Sequence, residues 1–163
     1  MTHKRIVCEN LRSAYNVWNI IRTADGLGWW VILVWYTAPK DHKKVVKTAL
    51  GAEESVSLLK FDLLQDFYDW IKDNQIGMIS AEKTPTSISL LDVHWPLWSS
   101  IFSKDNWIQW YAVVMGNEIT GVEQTTLDRS DLVVHIPMVG AKESFNVGQA
   151  AAVMMRELGE VIS

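Results

Sequence analysis

At 163 residues the chain has the length of one domain with a real core, read here as residues 1–163, and is short for two. Hydrophobic residues make up 48% and charged residues 21%, a balance that excludes disorder and low complexity. The formal charge of −4 argues against a protein that holds nucleic acid mainly by bulk electrostatics, while leaving local basic faces open.

Taken in order, Arg5–Cys8 reads as a first strand and Val17–Leu27 as the helix after it. In that helix Val17, Ile20, Ile21, Ala24 and Leu27 follow helical spacing, with Gly26 and Gly28 closing it. Arg22 lies about 100° around from Ile21, beside the stripe. Asn16, just before the periodic run, reads equally as an N-cap or as a site residue. Strands follow at Val31–Tyr36 and Ser55–Leu59, with a helix at Lys43–Leu50 between them. Next come a helix at Leu63–Asp73, strands at Ile76–Ser80 and Trp110–Met115, a short helix at Thr125–Arg129, and a strand at Leu132–Ile136. The last helix spans Val147–Leu158, where Asn146 again reads as cap or site residue. Several strands are apolar throughout rather than alternating, which suits a parallel sheet covered by helices on both faces, an α/β fold. Pro85–Asn106 is the least regular stretch, and Trp95 and Trp98 within it are the tryptophans best suited to an interface.

The apolar runs are too short to cross a bilayer, and no signal-type segment opens the chain, so a cytoplasmic protein is expected. Cys8 is the lone cysteine, and His3, His42, His94 and His135 lack ligand spacing, so no metal is expected. Gly26-Leu27-Gly28 closes a helix instead of opening one and is no dinucleotide fingerprint. A P-loop and a Gly-x-Ser-x-Gly elbow are both missing. An Arg, two Asn, a Glu and a Ser near strand ends remain, a set suited to orienting a reactive cofactor more than to hydrolysis. Two basic clusters stand out, Lys40, His42, Lys43, Lys44 and Lys47, and His3, Lys4, Arg5 and Arg12; solvated surface is the plain reading of both.

Three segments carry a resemblance. Asn16 through Gly28, with Asn16-Val17-Trp18-Asn19-Ile20-Ile21-Arg22, comes first; Gly116-Asn117-Glu118-Ile119-Thr120-Gly121-Val122 follows. The third runs from Ile136-Pro137-Met138 to Ser144-Phe145-Asn146-Val147. In this order they resemble the motifs of the SpoU (TrmH-type) RNA 2′-O-methyltransferases of the SPOUT class. Lys47-Thr48-Ala49-Leu50-Gly51-Ala52 is similar to the small-residue segment between the first two motifs. Where the family usually reads Ser-Leu-Asn-Val-Ser, this chain has Ser144-Phe145-Asn146-Val147-Gly148.

The resemblance implies a mostly parallel sheet with a C-terminal deep trefoil knot, S-adenosyl-L-methionine held by the knot loops, and a homodimer with a shared active site. By position it assigns Asn16, Arg22, Glu118, Ser144 and Asn146 to catalysis. Cofactor contacts fall at Ser80, Gly116, Ile136, Met138 and Phe145. A guanidinium stays protonated, so the fitting role for Arg22 is to clamp a phosphate and lower the pKa of a ribose hydroxyl, with Glu118 supporting Asn16 or Arg22. The alternative for Arg22 and Glu118 is a simple ion pair at the sheet rim.

The leading expectation is therefore a ribose 2′-O-methyltransferase acting on RNA. With no appended RNA-binding domain expected, tRNA is favoured over rRNA, and Arg12, Lys43, Lys44 and Lys47 are the phosphate-contact residues, giving binding that weakens with salt. A non-catalytic RNA-binding protein of the same fold and an enzyme acting on a small metabolite are the competing readings.

Overall fold

The computed structural model describes residues 3–37, 56–94 and 110–161. The helix expected at Lys43–Leu50, and with it Lys40, His42, Lys43, Lys44 and Lys47, lies outside these residues, as do Trp95 and Trp98. The described elements are β1 (His3–Glu9), α1 (Ala14–Leu27), β2 (Trp30–Val34), β3 (Leu58–Phe61), α2 (Leu64–Asp73), β4 (Gly77–Ala81), β5 (Ile88–Ser89), a 3-10 turn (Leu90–Asp92), β6 (Trp110–Met115), α3 (Gln124–Leu127), β7 (Leu132–His135) and α4 (Val147–Val161). β6 coincides with its apolar run. β2 stops at Val34 because Trp35 takes a left-handed backbone, φ 60°, which breaks extended pairing. β3 begins at Leu58, where pairing with Val31 starts, later than the β-branched residues alone indicate. β5 lies inside the stretch read as irregular; two residues are too few to leave a periodic pattern.

The sheet has the order β3-β2-β1-β6-β4-β7-β5, and every neighbouring pair is parallel. Side chains alternate between faces along each strand, and here both faces are apolar. Ile6, Cys8, Leu33, Ile79, Val113 and Val134 meet Ile20 and Ala24 of α1 and Ala151, Met154 and Leu158 of α4. On the other face Val7, Ile32, Val34, Met78 and Val114 meet Phe67 and Ile71 of α2. Each fully buried Ile or Leu contributes about 1.5–3 kcal/mol.

α1 begins earlier than its apolar stripe, because the Ser13 hydroxyl accepts the Asn16 amide at 3.3 Å and so caps the helix. Asn16 is thus a buried first-turn residue whose side chain is free of capping duty. The helix closes at Gly28, whose N–H donates to the carbonyls of Ala24 and Asp25.

The second basic cluster is not one surface. Arg5 is fully buried, its guanidinium 4.4 Å from the Trp110 ring centre, 5.3 Å from Trp30 and 5.5 Å from Trp70, a cation–π cage that suits desolvated Arg. Lys4 Nζ donates to the Gly159 carbonyl at 2.7 Å, where a cation complements the C-terminal turn of α4. Arg12 alone of the described side chains in that cluster is exposed.

The chain runs outward from β1 through β2 to β3, then returns to lay β6, β4, β7 and β5 on the other side of β1. The direction of strand addition therefore reverses beside β1, and open α/β sheets bind ligands at the carboxyl ends of strands near such a reversal.

Candidate active site

A cavity of about 460 Å³ opens at that place, within the size range of small-molecule and cofactor sites. Met115, Val134, Ala150 and Met154 give it apolar walls. The Gly116–Gly121 loop after β6 and the Ile136–Asn146 connection after β7 close it on two sides, and Ala81, Glu82 and Lys83 after β4 complete the rim.

One hydrogen-bonded chain joins three distant segments. Asn16 Nδ2 donates to Glu118 Oε1 at 3.1 Å, and Asn146 Nδ2 donates to Asn16 Oδ1 at 3.1 Å. Glu118 also accepts the amides of Ser13 at 3.0 Å and Arg12 at 3.3 Å. Partial burial pushes the Glu118 carboxyl up, but the hydrogen bonds it accepts outweigh this and hold it below the ordinary carboxylate value. Asn146 does two jobs: its Oδ1 accepts the Gly148 amide at 2.9 Å, capping α4, while its Nδ2 serves the network. The family's serine is replaced by a glycine at 148, where a Cβ would stand 3.2 Å from both Asn146 Oδ1 and Asn19 Cβ, so the small residue relieves a tight contact.

The loop is built on two glycines. A Cβ at Gly116 would stand 2.2 Å from the Val122 backbone nitrogen, which leaves no room for a side chain, and Gly121 has φ +74°, a strained conformation for other residues, with a virtual Cβ 2.2 Å from Glu82 Oε2. Between them Asn117 Oδ1 accepts the amides of Ile119 and Thr120 at 2.9 and 3.1 Å, and Asn117 Nδ2 donates to the Asn10 carbonyl at 2.8 Å.

Of the residues assigned by position, Asn16, Glu118, Ser144 and Asn146 all line the cavity, as do Gly116, Ile136, Met138 and Phe145. Ser80 does not. It is fully buried, with its hydroxyl 2.7 Å from the Ser130 hydroxyl, because alternation along β4 sends it to the face away from α4; the lining begins one residue later, at Ala81. Arg22 is exposed on α1 and lies outside the lining, its guanidinium 5.7 Å from the Trp18 ring centre. Six residues turn a helix by about 600°, which sets Arg22 well around the helix from Asn16. The ion pair of Arg22 with Glu118 accordingly does not form: among the described residues the salt bridges are Lys60–Asp62 and Arg156–Glu160. Arg12 is exposed beside Glu118, whereas Lys43, Lys44 and Lys47 fall outside the described residues.

Glu82, Lys83, His135 and Glu143 also line the cavity, outside the residues assigned by position. Charged residues just past a strand end were the available signal for the first two. Ser87 Oγ lies 2.9 Å from His135 Nδ1 and also donates to the Thr84 carbonyl at 2.8 Å, which ties it to turn geometry. The Cys8 thiol, pushed up to about 12 by burial, is no nucleophile. Among the described residues no His, Cys, Asp and Glu group is arranged to hold a metal ion, and no helix is long and apolar enough to cross a membrane.

The residues present fit a nucleoside-bearing cation: an apolar slot, loop backbone brought close by the absent Cβ of Gly116, and, among the described residues, the carboxylates of Glu118 and Glu143 at the rim.

The model of the SpoU rRNA Methylase family matches residues 3–156. A Staphylococcus aureus relative grouped with the TrmH family tRNA/rRNA methyltransferases is 28% identical over 159 residues, 94% of this chain and 57% of its own. The chain thus spans little more than half the length of that relative. Among solved structures, the AdoMet-bound rRNA methyltransferase from Sinorhizobium meliloti superposes with TM-score 0.83 at 21% identity, over 97% of this chain and 56% of its own. A structure described as bearing on the 2-OH methylation of C/U34 on tRNA superposes with TM-score 0.74 at 22% identity and 98% coverage of both chains. These likenesses establish the fold.

Proposed function

The chain belongs to the SpoU rRNA Methylase family, and we propose that it transfers a methyl group from S-adenosyl-L-methionine to a ribose 2′-hydroxyl of RNA, tRNA in preference to rRNA. The observation that carries the proposal is the Asn146–Asn16–Glu118 chain of hydrogen bonds at the edge of the cavity. It aligns residues from all three motif segments on one pocket.

When bound, the cofactor supplies an electrophilic methyl group, so the protein's task is to orient a hydroxyl and ease removal of its proton. Gly116, Ile136, Met138 and Phe145 would hold it against the apolar wall. Asn16 fixes Glu118 and Asn146 relative to each other, and Ser144 at the cavity mouth offers a hydroxyl to the nucleotide. Arg12, exposed next to Glu118, stands where a phosphate can be met as the RNA approaches. Arg22 faces away from the cavity of its own chain, which supports a homodimer in which a second copy presents its Arg22 as the phosphate clamp. The preference for tRNA takes its support from the neighbour whose structure bears on the 2-OH methylation of C/U34 on tRNA. The same reading places the C-terminal knot in the connection from β7 to α4 and the protein in the cytoplasm.

The test is transfer of labelled methyl from S-adenosyl-L-methionine to unmodified total tRNA and, separately, rRNA, with Arg22→Ala as control. Label mapped to a ribose in tRNA and lost in the variant is the expected result. Incorporation into rRNA alone reverses the substrate preference. Cofactor binding without incorporation into either pool contradicts the proposed activity and favours a non-catalytic RNA-binding protein.

A further inference from the structure

The loop that follows β6 is gripped from both sides. β6 lies between β1 and β4, and the register pairs Met115 with Cys8 on one side and Ala81 on the other. The next residues, Glu9 and Glu82, therefore flank Gly116. Val7, Val114 and Met78 share the face packed on α2, and with side chains alternating, Glu9, Gly116 and Glu82 continue that row.

From this row each glutamate reaches the loop as it folds back. Glu82 Oε2 accepts the Val122 amide at 3.0 Å, and Glu9 Oε1 accepts the next amide, Glu123, at 2.8 Å. The two glycines make the reach possible: Val122 nitrogen occupies the space a Cβ at Gly116 would fill, and Glu82 Oε2 occupies the space a Cβ at Gly121 would fill. Beneath the loop the Thr126 hydroxyl donates to Glu9 Oε2, and Tyr68 Oη of α2 lies 2.6 Å from Thr126 Oγ1. The grip is thereby anchored in the core.

We propose that Glu82 and Glu9 are positioning residues for the cofactor cavity, paired carboxylates from the two strands flanking β6 that hold the Gly116–Glu123 loop as a preformed wall. The inference rests on reading the cavity as the S-adenosyl-L-methionine site. Both act through the backbone of the loop. A preformed wall spares the ligand the cost of ordering eight loop residues on binding, so loosening it weakens cofactor affinity before it slows chemistry. Hydrogen bonds to a charged acceptor are the strong kind, yet a glutamine keeps a carbonyl oxygen at the same reach.

The experiment is calorimetric titration of S-adenosyl-L-methionine into the wild type and into Glu82→Ala, Glu82→Gln, Glu9→Ala and Glu9→Gln, each first shown to fold by thermal melting. Steady-state kinetics of labelled methyl transfer to unmodified total tRNA follow. The expected result is a Kd and cofactor KM raised about tenfold or more in the alanine variants, with kcat changed less than about threefold and most of the affinity recovered by glutamine. Wild-type affinity in Glu82→Ala overturns the proposal, as does a fall in kcat at unchanged KM or a glutamine variant as weak as alanine. If Glu9→Ala does not fold, the half-buried Glu82 decides the matter through its own pair of variants. A wild type that takes up no cofactor overturns the reading of the cavity, and this inference with it, and is told apart by the first titration alone.

Discussion

Glu118 and Glu9 serve the same loop, and their surroundings push their carboxyl groups in opposite directions. Glu118 is exposed at the cavity edge, and the hydrogen bonds it accepts from backbone amides and Asn16 overcome partial burial and hold its pKa down. Glu9 is fully buried under the loop. There burial raises its pKa despite the Thr126 hydroxyl and Glu123 amide that stabilise the anion. Similar donors give opposite shifts because desolvation grows steeply with depth. The polar rim is therefore a place where charge is stabilised for use, and the buried network a place where it is tolerated for shape.

The largest break in this arrangement is expected from Gly116→Ala, which drives a Cβ to within 2.2 Å of the Val122 nitrogen and 2.3 Å of the Gly121 carbonyl carbon. Backbone cannot give way as a flexible side chain does, so a loss of about 3 kcal/mol is expected, with cofactor binding abolished, read by urea unfolding and calorimetry. Asn16→Ala comes next. It strips Glu118 and Asn146 of their shared partner, and unfolding should show about 1–3 kcal/mol lost, with methyl transfer lowered more than cofactor affinity.

The two glutamates sharpen the contrast through pH. The folded-state value of Glu9 lies above the ordinary 4.5, so its stabilisation is complete below 4.5 and fades as pH rises through that folded-state value. Glu118 lies below 4.5; its stabilisation is complete above 4.5 and fades as pH falls through its own folded-state value. Urea melts across this range should show Glu9→Gln losing the decline toward higher pH and Glu118→Gln losing the decline on acidification, the latter smaller because solvent screens an exposed group. The smallest effect is expected at Ser80→Ala. Loss of its bond to Ser130 should cost about 1 kcal/mol in the same melts and leave cofactor affinity unchanged; a weakened affinity would return Ser80 to the site.

Legibility in the sequence followed the same divide. β6 and the buried stripe of α1 were readable because packing writes itself as apolar runs and helical spacing. The start of α1 was not, since Ser13 rather than Asn16 caps it, and only that geometry frees Asn16 for the site. Motif order brought Glu118, Ser144 and Asn146 to one pocket in expectation, and the structure places all three in its lining. Ser80 was misplaced because a one-residue step along a strand changes the face. Glu9 and Glu82 went unread because side chains that bond backbone amides leave no periodic trace, and Arg5 passed for surface charge because nothing local announces a tryptophan cage.

The most direct measurement is a crystal structure of the protein with S-adenosylhomocysteine, the demethylated product. The expected result is the nucleoside seated against Met115, Val134 and Met154, between the Gly116–Gly121 loop and the Ile136–Asn146 connection, with its sulfur toward the edge formed by Asn16 and Glu118. Product bound elsewhere on the protein, with this cavity left to solvent, would contradict it.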